Sequence, residues 1–263
     1  MAPLKFIPLA CASALLVAQM HTQGTKGLSA RSGTEQTITY SVQLGGSPVC
    51  LTEINEAREA AGLANFVATS TDDQKLPENN DDPTKPWDPV CKALIEEDEQ
   101  TPEKKAVGTG QVFKSGTYAF MALSSEKADC AAAVDHWNAA FSNFTSIPPA
   151  KTEEEPLYKK QQNISFVAMY NPIKDAAADC RVVTCTQTTS GTDHTRTLQN
   201  NAEQKTGYAL LCMTTPETLK VGGDAPFTED QWSKIKASLT GSASAVAPSL
   251  LAFVAIALSL AAF

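Results

Sequence analysis

The sequence predicts an α+β fold in which an antiparallel sheet is covered by helices on both faces. Three observations lead to this prediction. Several segments place apolar residues three and four positions apart, which is typical of helices with one buried side. Other segments are short runs rich in Val, Tyr, Phe or Leu between Pro, Gly or Asp residues, as strands are. Six of the seven cysteines lie between residues 50 and 212, and this even number predicts three disulfide bonds.

The N-terminus is predicted to be a signal peptide. Lys5 precedes an uncharged stretch, residues 6–18. That stretch has the length of a signal-peptide core and is too short to span a bilayer comfortably. With cleavage near Ala18 or Gly24, we assign residues 1–23 to the signal peptide.

A leader and the first helix follow. The leader, residues 24–46, is rich in Gly, Ser and Thr and contains one β-prone run at residues 38–42. The ectodomain, residues 47–240, begins with the dipeptide Ser47-Pro48, which is typical of an N-cap and a first helical residue. Gly62 is typical of the position just after a helix.

Two further helices and a strand are predicted in the middle of the chain. Asp88 and Pro89 begin the second helix. Residues 118–123 are apolar and predict a strand. The third helix spans about residues 126–144, where Trp137 and its apolar neighbours form one stripe at helical spacing.

Three strand-like runs and a last helix complete the ectodomain. The runs are residues 166–170, 181–186 and 208–213. Thr228 and Gln231 have the spacing of a capping box, which begins a helix. The apolar positions of this helix are Trp232, Ile235 and Leu239.

The C-terminus is predicted to be a glycosylphosphatidylinositol (GPI) attachment signal. A run of small residues at 241–245 and a weakly polar spacer lead to an apolar stretch, residues 250–263. Small residues, spacer and apolar tail together are typical of such a signal. The residue that receives the anchor is Ser242, Gly241 or Ser238, and residues 243–263 are the propeptide. A single-span tail anchor is the alternative.

The charge of the chain excludes some classes of partner. The formal net charge is −8, with 29 acidic and 21 basic residues. Nucleic acid binding depends on clustered Lys and Arg, so we expect no nucleic acid partner. The expected location is the outer face of the plasma membrane.

The cysteines predict a disulfide framework. Cys11 leaves with the signal peptide, and the six that remain are Cys50, Cys91, Cys130, Cys180, Cys185 and Cys212. No Cys-x-x-Cys pair suggests zinc. Cys185 and Cys212 lie in apolar runs that resemble neighbouring strands, which favours a bridge between them. The sequons at Asn143 and Asn163 are candidate N-glycosylation sites.

The overall plan resembles the Eimeria family of GPI-anchored surface antigens of coccidian parasites. The features that carry the resemblance are the signal peptide, the acidic domain with six cysteines, and the small-residue and apolar tail. The resemblance implies a non-enzymatic surface protein that acts in host-cell attachment, invasion and interaction with host immunity. Its partner would be an unidentified component of the host-cell surface.

The interior resembles the CAP superfamily of cysteine-rich secretory, antigen 5 and PR-1 proteins. The matching segments are residues 51–63, 133–137 and 166–170, then Asp179-Cys180 and Cys185, and then residues 208–212 followed by Pro216. This resemblance implies a three-layer α-β-α sandwich. Many CAP proteins hold a divalent metal with two His and two Glu, and the matching positions in this chain are Ile54, Thr117, Ala140 and Ile164. None of these side chains ligates zinc, so we expect no metal.

The sequence offers few residues for catalysis. The histidines outside the signal peptide are His136 and His194. Ser190, Asp193 and His194 share one loop, and neighbours in one loop rarely reach the geometry of a catalytic triad. We therefore expect no enzyme and no cofactor.

Two alternative functions and two candidate binding loops complete the predictions. A CAP-like protein that binds a small sterol or lipid is the second hypothesis, and a residual hydrolase is the third. Binding loops are expected at residues 69–89 and 150–158, because loops on a rigid scaffold often carry function. The carboxylates of residues 69–89 lack the spacing of an EF-hand, so a solvated loop is favoured over a calcium site.

Overall fold

A computed structural model describes residues 36–78, 87–96, 113–191 and 203–241 of the 263-residue chain. Contacts divide the chain into residues 1–34 and 35–263, and every described residue lies in the second unit. Its strands are β1 (Gln36–Leu44), β2 (Thr117–Leu123), β3 (Ala177–Gly191) and β4 (Glu203–Thr215). Its α-helices are α1 (Leu51–Ala60), α2 (Asp88–Glu96), α3 (Cys130–Asn138), α4 (Gln161–Met169) and α5 (Glu229–Gly241).

The four strands form one antiparallel sheet in the order β1-β3-β4-β2. β3 and β4 are the long central strands, and Cys180 lies opposite Cys212 in their register. β1 pairs with β3 from Gln36 to Leu44. The leader predicted from the sequence therefore contributes an edge strand to the domain, and the β-prone run at residues 38–42 is part of it.

Each face of the sheet carries its own apolar cluster. On one face, Cys180 and Leu210 pack in a cluster that includes Trp137 of α3 and Phe166 of α4. On the other face, Cys185 and its neighbours pack with side chains of α2. Because successive residues of a strand point to opposite faces, β3 and β4 supply both clusters. The domain is a mixed helix and antiparallel sheet structure with three disulfides.

The disulfide framework confirms the bridging of all six cysteines but corrects the favoured pair. The bonds join Cys50 with Cys130, Cys91 with Cys185, and Cys180 with Cys212. The predicted Cys185–Cys212 bridge is wrong, because the two residues lie on opposite faces of the sheet. Their register partners are Gly207 and Cys180, respectively.

The segment 166–170, predicted as a strand, belongs instead to α4 and the residue after it. Apolar side chains of α4 are buried around the helix, so the sequence lacks the polar stripe that reveals a surface helix. Polar side chains of α4 are also buried: Gln161 Nε2 donates to Tyr118 O at 2.8 Å, and Ser165 Oγ accepts from Phe120 N at 2.9 Å. These two bonds fix α4 against β2.

Of the four predicted helix starts, two agree with the structure and two differ, those of the first and third helices. α2 begins at Asp88 as predicted. The capping box before α5 is confirmed, since Thr228 N donates to Gln231 Oε1 at 2.9 Å and Gln231 N to Thr228 Oγ1 at 3.3 Å. The first helix does not begin at Ser47-Pro48 but at Leu51, because Val49 N still donates to the β3 carbonyl of Cys180.

The structure also tests two predicted helix ends. Gly62 follows α1 with a φ of +67°, a conformation that glycine adopts without strain. The third helix is shorter than predicted at both ends. α3 begins at Cys130 after the N-cap Asp129, and after Asn138 the chain continues as a 3₁₀ turn, Ala139–Asn143.

Candidate functional site: the surface loops and the cleft beside β1

The residues considered for catalysis are not brought together in the part of the chain that the structure describes. His136 is exposed on α3, and its carbonyl accepts from Gln162 Nε2 at 2.6 Å. Ser190 belongs to β3 and not to a loop as predicted, and its Oγ donates to Thr37 O at 3.4 Å. Asp193 and His194 lie outside the described residues.

The four positions matched to a CAP metal cleft have structural roles. Ile54 and Ala140 are buried in the apolar cluster, and Ile164 packs against it. Thr117 Oγ1 accepts from Thr218 N at 2.8 Å. Among the described residues, no group of three or more His, Cys, Asp or Glu side chains is arranged to hold a metal ion.

A polar cleft of about 360 Å³ opens between the end of β1 and the segment at residues 75–78. Its charged lining residues are Lys75, Glu78, Asp179 and Arg181. The segment belongs to the predicted binding loop at residues 69–89. Two cationic and two anionic groups give the cleft no dominant sign, and polar groups suit hydrogen bonding better than binding of an apolar ligand.

Asp179 holds the residues around this cleft in place through hydrogen bonds. It is buried, and its Oδ1 accepts from Arg181 Nε at 2.7 Å, while its Oδ2 accepts from Leu76 N at 2.9 Å. Arg181 Nη1 donates to Gly45 O at 2.9 Å. The pair therefore joins β3 to the loop and to the turn after β1. Its role was missed from the sequence, although an acid and a base two residues apart on a strand share a face.

The predicted binding loops are held by local bonds. In the first, Gln74 Oε1 accepts from Ser70 N at 2.8 Å and shapes a 3₁₀ turn, Asp72–Gln74. The Asp72 side chain is 92% exposed, so its 3.3 Å ion pair with Lys75 contributes little to stability. Asp73 is also exposed, while Asp81 and Asp82 lie outside the described residues.

The second loop, residues 150–158, is anchored at both ends. Gly222 N donates to Lys151 O at 2.9 Å, and Tyr158 OH donates to Pro149 O at 2.6 Å. Glu153 and Glu154 are exposed between these anchors. In the parts that the structure describes, both loops thus carry exposed carboxylates on a backbone held by hydrogen bonds.

Arg58 is a cation buried in the core, away from these loops. Its Nε donates to Ala64 O at 2.9 Å and its Nη1 to Met169 O at 2.8 Å. The guanidinium also lies 3.7 Å from the centre of the Phe66 ring. Burial lowers the pKa of Arg58 to about 10, partly opposed by Tyr170, so the group stays charged at neutral pH. Its bonds join the end of α1 to the end of α4.

Three tyrosines have perturbed hydroxyl groups. Burial, followed by the charge of Glu217, raises the pKa of Tyr118, and burial followed by Glu155 raises that of Tyr158. Burial raises the pKa of Tyr170 to about 12, although Ser238 and Arg58 act in the opposite direction. All three shifts favour the neutral phenol, which therefore serves packing and hydrogen bonding.

The two candidate glycosylation sites differ in how deeply their side chains are buried. Asn163 is fully buried on α4, and its Nδ2 donates to Leu157 O at 2.8 Å. Its Oδ1 accepts from Asn143 Nδ2 at 2.7 Å, and Asn143 itself is half-buried. A glycan on the Asn163 nitrogen has no room in the folded domain, which argues against that candidate.

The candidate anchor positions lie at or near the end of α5. Ser238 is within the helix, where its Oγ donates to Ile235 O at 2.8 Å, and Leu239 packs against the core. Gly241 is the last helical residue and is exposed. Ser242 lies outside the described residues. In the described part of the chain, every helix is too short or too polar to cross a membrane.

Comparisons with known proteins identify similar chains. Residues 46–254 match the family described as sporozoite surface antigen (SAG) protein domain. The sporulated oocyst TA4 antigen of Eimeria tenella is 28% identical over 200 residues, which cover 73% of this chain and 74% of that protein. No solved structure matches the chain.

Proposed function

The chain belongs to the sporozoite surface antigen (SAG) family, and we propose that it is a non-enzymatic, GPI-anchored antigen that contacts host cells. The observation that carries this proposal is the family match over residues 46–254. Membership in a family of surface antigens implies a cell-surface location. The contact would serve attachment, invasion and interaction with host immunity, and its partner is an unidentified component of the host-cell surface.

The anchor proposal draws support from the end of α5. Cleavage after Gly241 or Ser242 leaves this helix whole, whereas cleavage after Ser238 removes Leu239, which packs on the core. We therefore favour Gly241 or Ser242 as the residue that receives the glycolipid. A small residue at this position fits the attachment signal.

The anchor is tested by expressing the full chain in a eukaryotic cell that attaches GPI. We expect phosphatidylinositol-specific lipase to release it from the cell surface. Mass spectrometry of the released protein should find the glycolipid remnant on Gly241 or Ser242. Protein that stays on the cells after lipase treatment, with its apolar tail intact, would refute the anchor and favour a spanning tail.

The attachment proposal draws support from the two loops that present exposed carboxylates. All four of these carboxylates are exposed: Asp72 and Asp73 in the first loop, and Glu153 and Glu154 in the second. Because the described parts of both loop backbones are held by hydrogen bonds, a partner would bind these carboxylates without a large ordering cost.

Attachment is tested by binding of the protein to cultured host cells, with soluble protein as competitor. We prepare one double variant for each loop: Asp72→Asn together with Asp73→Asn in the first loop, and Glu153→Gln together with Glu154→Gln in the second. The matched control is a third double variant, Glu56→Gln together with Glu203→Gln, which removes two exposed carboxylates outside both loops. We expect at least tenfold weaker binding for one loop variant and unchanged binding for the control.

Two outcomes would contradict the attachment proposal. Equal binding by all three double variants would exclude the loop carboxylates as the contact. Absence of saturable binding to any host cell by the unmodified protein would leave a passive coat protein.

A CAP-like fold remains part of the proposal. It is supported by an antiparallel sheet with an apolar cluster on each face and helices in both clusters. The related hypothesis of sterol or lipid binding finds no support in the cleft beside β1, which has four charged lining residues. Organic extraction of the purified protein tests it, since a stoichiometric lipid would establish this second function. Catalytic turnover of an ester or peptide substrate by the purified protein would instead support the third hypothesis, a residual hydrolase.

A further inference from the structure

The disulfide between Cys50 and Cys130 is more exposed to solvent than the other two. Cys130 packs against the apolar cluster but is only partly buried. Cys50 is 7% exposed, whereas the four cysteines of the other two bonds are 0–1% exposed. Reduction of a disulfide begins when a thiolate reaches one of its sulfur atoms, so access limits the rate. Of the three bonds, this one is therefore the most open to a thiol from solvent.

Both cysteines of this bond lie at the start of a helix. Cys50 is the N-cap of α1, and Cys130 is the first residue of α3. The backbone N–H groups at a helix N-terminus stabilise a nearby thiolate, and a stabilised thiolate is a good leaving group in exchange. The other two bonds include Cys180 or Cys185 of β3, which lie within a strand rather than at a helix start.

The two helix starts differ in the acids beside them. Asp129 directly precedes Cys130, and its Oδ1 accepts from Ala132 N at 3.0 Å, so a negative charge already occupies the start of α3. The Cys50 side chain makes no capping hydrogen bond at α1, where Glu53 is the acid of the first turn. The start of α1 therefore retains N–H groups for a Cys50 thiolate. This difference makes Cys50 the leaving group and Cys130, the more exposed of the two, the point of attack.

The backbone of Cys50 is strained while the bond is closed. Its φ is +64°, in the left-handed region that costs free energy for a residue with a side chain. An N-cap residue normally has an extended backbone, and its side chain then accepts from an N–H group of the first helical turn. Once released from Cys130, the Cys50 thiolate can take that position. Opening the bond thus relieves strain and gives α1 a cap.

We propose that the Cys50–Cys130 disulfide is a redox-sensitive switch that exchanges with small thiols such as glutathione. A glutathione thiolate attacks Cys130 Sγ, the bond between the two cysteines breaks, and its electron pair leaves with Cys50. A second glutathione attacks the glutathione sulfur of the mixed disulfide and releases Cys130. Two glutathione molecules are thereby oxidised to one disulfide, the protein bond is reduced by two electrons, and the two thiol protons pass to the two cysteines.

Opening the bond changes the connection between β1 and α1. Val49 N donates to Cys180 O at 2.9 Å, so the segment just before α1 remains attached to β3. The covalent link between the starts of α1 and α3 is lost. The other two disulfides still join α2 to β3 and β3 to β4. We therefore expect the reduced protein to keep its sheet, while the start of α1 moves relative to α3.

The first test measures the order in which the three bonds open in the full chain, exported by a eukaryotic host and purified in its oxidised form. The protein is incubated with reduced glutathione without denaturant, and free thiols are trapped with N-ethylmaleimide and assigned by peptide mapping. We expect Cys50 and Cys130 to be reduced at least tenfold faster than either other pair. Circular dichroism recorded in parallel should show that the fold persists.

The second test identifies the sulfur that is attacked and the source of its reactivity. Peptides trapped early in the reaction should carry glutathione on Cys130 and not on Cys50. Glu53→Gln removes a negative charge three residues from Cys50, and we expect exchange to become about twofold faster. Glu56→Gln is the matched control, because Glu56 is exposed on α1 beyond the first turn and should leave the rate unchanged.

The outcomes decide the proposal. Selective opening of the Cys50–Cys130 bond, with glutathione first on Cys130, supports it. Simultaneous opening of all three bonds would overturn it, since reduction would then follow unfolding of the whole domain. Earlier opening of another bond, glutathione first on Cys50, or resistance of all three bonds to glutathione would also overturn it. Equal acceleration by Glu53→Gln and Glu56→Gln would count against it, because the net charge and not the helix start would then control the rate.

Discussion

Replacement of Arg58 by Met should destabilise the domain strongly although the side chains are similar in length. Arg58 is 2% exposed and donates to the carbonyls of Ala64 and Met169. Hydrogen bonds to a charged group contribute about 1.5–3 kcal/mol each. The contact with the Phe66 ring adds about 0.5–2 kcal/mol. Relief from burying a charge offsets part of this loss, and we expect a net cost of about 3 kcal/mol.

The assay is chemical and thermal unfolding of the oxidised protein. For a domain of this size, a cost of 3 kcal/mol lowers the Tm by about 6–12 °C. Arg58→Lys keeps the charge but loses the planar fork, so we expect a smaller loss of about 2 kcal/mol. Lys234→Met is the control, because Lys234 is 54% exposed and its ion pair with Asp230 lies on the surface.

The reasoning is refuted if Arg58→Met unfolds within about 0.5 kcal/mol of the unmodified protein. It is also refuted if Lys234→Met is as destabilising as Arg58→Met. Either result would show that the carbonyls of Ala64 and Met169 find other donors, and that Arg58 does not join α1 to α4.

Four further predictions follow from the packing and the titratable groups. Joint replacement of Cys91 and Cys185 by Ala removes a disulfide between residues 94 positions apart. It should lower the free energy of unfolding, measured in urea, by about 4 kcal/mol. The raised pKa of Tyr158 means that its contribution to stability is complete below about pH 10 and is lost at higher pH, so Tyr158→Phe should flatten the alkaline decline measured by circular dichroism. Asn163→Gln should destabilise the fold by about 1–3 kcal/mol, and peptide mapping should find no glycan at Asn163. Gly207→Ala should cost about 1–2 kcal/mol, because its Cβ would lie 2.9 Å from a side-chain carbon of α2.

Each of these predictions has a contradicting result. Peptide mapping that joins Cys185 to Cys212 would restore the bridge predicted from the sequence. An alkaline decline of unchanged slope in Tyr158→Phe would show that its hydroxyl titrates normally. Occupied glycan at Asn163 would mean that α4 is not buried, and a neutral Gly207→Ala would mean that α2 does not press on β4.

Local signals in the sequence determined much of the secondary structure. Thr228 and Gln231 predicted the start of α5, and Asp88 with Pro89 predicted the start of α2, because caps depend on residues within one turn. Gly62 predicted the end of α1 for the same reason. The even number of cysteines predicted three disulfides, since this count needs no knowledge of the fold.

The sequence by itself thus determined where α2 and α5 begin, where α1 ends, and that six cysteines would form three disulfides. Only the tertiary structure decided which cysteines meet, because pairing depends on the register and face of β3 and β4. It also decided that residues 166–169 are helical, since a helix buried around its circumference has no polar stripe to reveal its period. The link from Asp179 to Leu76 spans 103 residues, and contacts of that range are set by packing.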